Sequence, residues 1–223
     1  MGSQVRSAGI YGVLTVGLFL CACWPPASYL FDSDDVMNLS EAYVAGPGVL
    51  LRAVAFPFTT FNRPAGALYY RLCFGIFGWN PPAFRTVTYL VMIANLALIA
   101  LLARRLAGST EIGAAAALLY SFHGRLGSIY SSNGTIYDIL CAFFTLLTLW
   151  YYVRVRQENL GWSWWRIAML SGLYIAALNS KEMAAVVPVL MLIFEWGFRS
   201  SSAPPGPCGC TSGTYGSPPH WLS

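Results

Sequence analysis

The sequence predicts an all-α, polytopic membrane protein with about six transmembrane helices and juxtamembrane helices in its first outer loop. Three observations carry this. The chain has 223 residues, 57% of them hydrophobic and only 10% charged, whereas a soluble domain carries about a quarter charged residues. Its apolar runs approach the ~17–25 residues a helix needs to cross a bilayer. Arginines close several of those runs, and alternating the run direction gathers these arginines on one side, as the positive-inside bias requires. The formal charge of +4 is small and dispersed, so no nucleic-acid partner is expected.

Taken in order, Ala8 to Trp24 follows Arg6 and reads as a retained membrane anchor. A cleaved signal peptide is its rival, since Leu20-Cys21-Ala22-Cys23 has the look of a lipoprotein cleavage site. The first outer loop, about 25–82, has mixed character. Its apolar pieces, Val49 to Thr60 and Ala65 to Gly78, are interrupted by Arg52, Pro57 and Arg71. Pieces of ~10–14 residues predict interfacial or re-entrant helices rather than spans. Tyr69, Tyr70 and Trp79 fit an interfacial aromatic belt.

Ala83 to Ala103 is a clear span, entered by Arg85 and closed by Arg104-Arg105. Ile112 to Tyr120 opens a shorter third one, and Ile136 to Val153 is a fourth, ending in Arg154 and Arg156. Trp164 to Leu178 and Met183 to Phe198 make a fifth and sixth, with Pro188 deep in the last. Residues 1–199 thus form a transmembrane domain. The Ser/Pro/Gly-rich segment 200–223 is expected to be a disordered tail, and its abruptness suggests a truncated chain. Cys21, Cys23, Cys73 and Cys141 have apolar neighbours, and Cys208 and Cys210 lack His or acidic partners. No disulfide framework or cysteine metal site is expected.

With the N-terminus cytoplasmic, Arg6, Arg104, Arg105, Arg154, Arg156 and Arg199 fall inside. The outer side receives Asp32, Asp34, Asp35, Glu41, Asp138 and Lys181-Glu182, together with Arg52, Arg63, Arg71, Arg85, His123 and Arg125. Those outer cations run against the charge bias. Either the acids or an anionic ligand must hold them.

Four outer clusters could carry chemistry. In the first, Ser33 can cap a short helix beginning at Asp34, which puts Asp34, Asn38 and Glu41 on one face. Asp34 and Asp35 could serve as a general base or bind a divalent cation; the plainer reading is an acidic helix start. The second is Asn62-Arg63-Pro64 with Arg71, suited to phosphate or to snorkelling among headgroups. The third is His123-Gly124-Arg125 with Tyr130, Asn133, Tyr137 and Asp138, an ionisable group at a span start or a packing pair of Arg125 with Asp138. The fourth is Ser180-Lys181-Glu182, whose plainer reading is a self-neutralised Lys–Glu pair. The opposite side carries only anchoring arginines. No P-loop, dinucleotide fingerprint, nucleophile elbow or H-E-x-x-H is present.

The order Asp34-Asp35, then Arg63-Pro64, then Phe77-Gly78-Trp79-Asn80-Pro81 leading into a span closed by Arg104-Arg105, resembles the GT-C glycosyltransferases. Tyr130 to Asp138 and Ser180-Lys181-Glu182-Met183 are similar to the bacterial protein mannosyltransferase and aminoarabinose transferase type. The resemblance covers roughly Ile10 to Trp196. It implies transfer of a sugar from a polyprenyl-phosphate donor to an acceptor on the outer face, in a bacterial inner membrane with the first loop periplasmic. It makes Asp34 or Asp35 the catalytic carboxylate and Arg63 a donor-phosphate contact. Arg125 and Lys181 are further phosphate candidates by location, with Asn38, His123, Asp138 and Glu182 in support. A divalent metal would be the one cofactor to consider, and Asn62, standing where aminoarabinose transferases carry an acid, weakens the case for it. A small transporter, a lipid-binding membrane protein and a non-catalytic fragment are the competing readings.

Overall fold

The computed structural model describes residues 2–23, 30–55, 63–122 and 133–202. Among them the regular structure is helical throughout, in nine α-helices and two short 3-10 turns. Helix α1 is Gly2–Cys23, α2 Ser33–Val44, α3 Gly46–Ala55, α4 Pro64–Phe77, α5 Pro81–Ala107 and α6 Thr110–Ser121. Then come α7 (Ile136–Gln157), α8 (Trp164–Ser180) and α9 (Val187–Ser202). One 3-10 turn, Asn133–Thr135, leads into α7, and the other, Glu182–Val186, leads into α9.

A helix forms where each of the six spans is expected. Two of these stretches, Pro81–Ala107 and Asn133–Gln157, are long and apolar enough to cross a membrane, at 27 and 25 residues. Helix α6 has 12 residues, or about 18 Å of rise, against a hydrocarbon core of ~30 Å. The sixth helix starts later than the hydropathy suggests. Pro188 has no N–H and its ring would collide with the carbonyl four residues back, so an α-helix running through Met183 and Ala184 is barred. Residues Glu182–Val186 form a 3-10 turn instead, and Pro188 becomes the second residue of α9.

Helix α5 is the central strut, packing against α6 on one side and α7 on another, while α8 packs on α7. Pro81 and Pro82 occupy its first turn, where a missing N–H costs nothing. Gly108 ends it in the left-handed region at φ 70°, a conformation that a Cβ would oppose. Gly113 lets α6 close on α5, since a Cβ there would lie 2.5 Å from the Ala100 carbonyl oxygen. Asn95, buried midway along α5, donates to the Ile139 carbonyl of α7 at 3.0 Å.

The first-loop helices are not a loose interfacial layer. Tyr69 and Tyr70 of α4 are buried at 8% and 0% exposure, which corrects the belt assignment for both, while Trp79 is exposed. Helix α4 packs on α2, α3, α5, α7 and α8. The Tyr69 hydroxyl donates to the Phe84 carbonyl at 2.8 Å and lies 3.0 Å from Thr88 Oγ1, tying α4 to α5. Asn179 near the end of α8 donates to the Val54 carbonyl of α3 at 2.7 Å. Gly66 permits the closest approach. A Cβ there would lie 2.0 Å from Cε1 of Tyr137 on α7.

Gly66→Ala is therefore expected to destabilise the protein by about 1–3 kcal/mol through overpacking, lowering its thermal midpoint in detergent by a few degrees. Gly12→Ala, where a Cβ meets nothing within 4 Å, should leave the midpoint unchanged or raise it. Midpoints from size-exclusion thermostability curves decide between these outcomes.

Candidate functional site

The acidic helix α2 begins one residue earlier than the sequence suggests, and Asp32 rather than Ser33 is its cap. The reason is local. Asp32 accepts from the Ser33 N–H at 2.7 Å, and Asp35, three residues on, accepts from the Asp32 N–H at 3.2 Å. This reciprocal capping box satisfies two helix-start donors at once, while the Ser33 hydroxyl reaches only Asp32 Oδ1 at 3.4 Å.

The box turns Asp35 inward. It is 1% exposed, and its Oδ1 accepts from the Tyr70 hydroxyl at 2.7 Å. Its Oδ2 accepts from Asn133 Nδ2 at 3.4 Å as well as from the Asp32 N–H. A buried carboxylate is tolerable only when hydrogen-bonded in this way. Burial and then the adjacent Asp35 charge push the Tyr70 phenol far above its ordinary value of 10.0, so it remains a donor. Asp34, one position back, is exposed and its side chain has no hydrogen-bond or ion-pair partner among the described residues. The two adjacent carboxylates thus have opposite environments. Asn38 is half-buried and Glu41 exposed on the same helix.

Arg63 is the N-cap of α4 and holds a left-handed backbone, φ 53° and ψ 57°, which is costly for a residue with a Cβ. Its guanidinium grips Glu182 through two contacts, Nη2 to Oε1 at 2.8 Å and Nε to Oε2 at 3.3 Å. It also lies 6.0 Å from the Tyr137 ring centroid. Lys181 Nζ donates to Asp138 Oδ1 at 2.6 Å. The Lys181–Glu182 self-pair considered from sequence is replaced by these crossed partners. Extended backbone at Lys181, φ −162° and ψ 145°, sends neighbouring side chains in different directions. The Glu182 carboxyl is held below its usual range by its own backbone N–H and by Arg63.

These groups meet at one end of the bundle. Asp35 touches Tyr70, whose ring lies 6.3 Å from that of Tyr137, and Tyr137 lies under Arg63. Asp138 follows in the first turn of α7. Of the predicted site residues, the structure therefore brings together Asp35, Arg63, Asp138, Lys181 and Glu182, with Asp34 beside them on α2. His123 and Arg125, like Asn62, lie outside the described residues. Arg71 does something else. It donates to the Ala42 carbonyl at 2.9 Å and caps the C-terminal end of α2. Arg85 is buried and Arg52 exposed. Among the described residues no three His, Cys, Asp or Glu side chains are grouped as a metal site requires.

Tyr70 is the residue of this cluster that sequence reading did not single out. Its only signal was an aromatic hydroxyl placed on the same α4 stripe as Gly66 and Cys73, which is also the buried stripe. The far end of the bundle is a further correction. It holds not arginines alone but paired ones: Arg105 and Arg154 share Glu158 at 2.7 and 3.2 Å. Arg156 pairs with Glu195 of α9, its Nη2 lying 2.8 Å from Oε2, and Tyr152 donates to the same carboxylate at 2.8 Å.

The family model described as dolichyl-phosphate-mannose-protein mannosyltransferase matches residues 62–204, which is more than half of the chain. The matched segment starts beside Arg63 and includes Asp138, Lys181 and Glu182, but not α2. No curated protein and no solved structure matches the chain.

Tyr70→Phe should cost about 1–3 kcal/mol, because it strips a donor from a buried carboxylate, whereas Asp34→Asn at the exposed neighbour should stay within about 0.5 kcal/mol. The raised phenol also has a pH signature. Its stabilisation is full below the unfolded value of 10.0 and is lost as pH rises beyond it. Unfolding midpoints from pH 8 upward (roughly pH 8 to 11) should therefore fall more steeply in the wild type than in Tyr70→Phe.

Proposed function

The chain belongs to the dolichyl-phosphate-mannose-protein mannosyltransferase family and is a membrane glycosyltransferase by that membership; on this premise we propose that it takes its sugar from a polyprenyl-phosphate donor and transfers it to an acceptor hydroxyl at the end of the bundle formed by α2, α4 and the α8–α9 connection. That end faces the periplasm of a bacterial inner membrane in this reading, with the N-terminus cytoplasmic.

The observation that carries the proposal is a solvent-facing carboxylate, Asp34, at the same end of the bundle as two oriented, ion-paired cations, Arg63 and Lys181. Asp34 is the general base. Its carboxylate is open to an incoming hydroxyl, whereas both oxygens of Asp35 already accept hydrogen bonds. Asp35 is the anchor that presents Asp34, through the capping box and Tyr70. In the transfer step, Asp34 takes the acceptor's proton as the acceptor oxygen bonds to the sugar's anomeric carbon. The bond from that carbon to the phosphate oxygen breaks, and its electron pair leaves with the polyprenyl phosphate. Arg63 and Lys181 stabilise the charge that develops there. A guanidinium held by its backbone and by Glu182 is oriented before the donor arrives, which is what preorganised electrostatic stabilisation needs. Glu182 and Asp138 keep the two cations from standing unpaired without donor.

The experiment is sugar transfer from labelled polyprenyl-phosphate donors by the purified chain. Asp34→Asn should lower turnover by at least about a hundredfold while leaving the thermal midpoint in place. Asp35→Asn should lower turnover and midpoint together. Arg63→Asn retains the left-handed backbone that Asn tolerates but loses the charge, so the donor KM should rise about tenfold or more. Undiminished turnover in Asp34→Asn removes it as the base.

A further inference from the structure

A second site lies away from these residues, in a cleft of about 300 Å³ between α1, α5 and α6. Its walls are apolar and small: Gly12 and Val16 of α1, Ile93, Leu96, Ala97 and Ala100 of α5, and Ala114 and Ala117 of α6 are among them. Its volume falls at the lower end of the range for small-molecule sites. Gly113, next to the lining residue Ala114, lets α6 close on α5, and a Cβ added at Gly12 would meet nothing within 4 Å.

One charge marks the cleft. Arg104 lines it at the last turn of α5. Its neighbour Arg105 is committed to Glu158 at 2.7 Å, but the Arg104 side chain has no hydrogen-bond or ion-pair partner among the described residues and is exposed. From Arg104 to Ile93 is eleven residues, or about 16 Å along the helix, which is roughly half of a ~30 Å hydrocarbon core. With Arg104 at the membrane surface, the cleft would run from its guanidinium to about mid-bilayer depth.

We propose that this cleft binds one anionic phospholipid, with an acyl chain between α1, α5 and α6 and the phosphodiester on Arg104. Charge complementarity selects the occupant. Apolar walls opening to a bilayer call for hydrocarbon, an unpartnered guanidinium calls for an anion, and an anionic phospholipid joins the two at the required spacing. Arg is the side chain best matched to a phosphate oxygen pair. The site is independent of sugar transfer. Arg104 is in the last turn of α5, whereas Phe84, which packs against Tyr70, is in its first.

The test is lipid retention by the full chain, purified in detergent after equilibration with nanodiscs of phosphatidylglycerol or phosphatidylcholine and weighed by native mass spectrometry. The wild type should retain one phosphatidylglycerol, with about a fivefold preference over phosphatidylcholine, as a single interfacial Arg supplies. Arg104→Gln should abolish the preference. Gly12→Leu, which places a side chain in the open space, should abolish retention of both lipids with helix content unchanged by circular dichroism. Equal retention of the two lipids by the wild type overturns the proposal, as does a preference that survives Arg104→Gln or retention that survives Gly12→Leu. Sugar transfer is not read in this assay, so its outcome is separate from that of the proposed reaction.

Discussion

The buried carboxylate of Asp35 is the constraint on which the rest of the first-loop architecture depends. Taking a charge from water costs several kcal/mol unless hydrogen bonds replace the lost hydration. Three donors from three elements do so here: the Asp32 N–H, the Tyr70 hydroxyl of α4 and the Asn133 amide before α7. Each donor fixes a neighbour. Tyr70 sets α2 against α4, and Tyr69 beside it sets α4 against α5. Arg71, on the next residue of α4, closes the other end of α2. Asn133 brings the start of α7 to the same point, although its Oδ1 is buried without a partner among the described residues. A helix of 12 residues such as α2 would be marginal alone; this network and its apolar face, Leu39 and Ala42, hold it.

The same arrangement explains why charge is tolerated so close to an apolar bundle. At one end Arg63 and Lys181 are matched with Glu182 and Asp138, and at the other Arg105, Arg154 and Arg156 are matched with Glu158 and Glu195. Arg105 also draws the Glu158 carboxyl below its usual range. Apart from Arg154 with Glu158, which are four residues apart, the pairs join residues far apart in sequence, so they set which helix ends lie together. They are partly exposed, and their value lies more in register and orientation than in stability. Arg104, like Arg52, has no acidic partner among the described residues.

Much of this was legible in the sequence for simple reasons. Length and apolarity place α5 and α7, because a helix satisfies its own backbone and needs only side chains that suit its surroundings. The acidic patch, Arg63 and the Lys181–Glu182 boundary were recognisable as polar groups that an apolar chain would not carry idly. Other details were not legible. Ser33 and Asp32 are both good caps, and only the reach of Asp35 back to the Asp32 N–H chooses between them. Lys181 and Glu182 are neighbours, and only their backbone turn shows that they face different partners.

The sequence by itself determined the helical class and the sites of the long helices, and it supplied the charged residues from which a site could be made. Those properties follow from composition and local periodicity, which act along the chain. The tertiary structure alone decided that Asp34 is open while Asp35 is sealed, that Tyr70 is a buried donor rather than a belt residue, and that Arg63 belongs with Glu182. Burial and pairing are relations between segments as much as 125 residues apart. Adjacent residues of the same type therefore acquire different chemistry only when the other helices arrive.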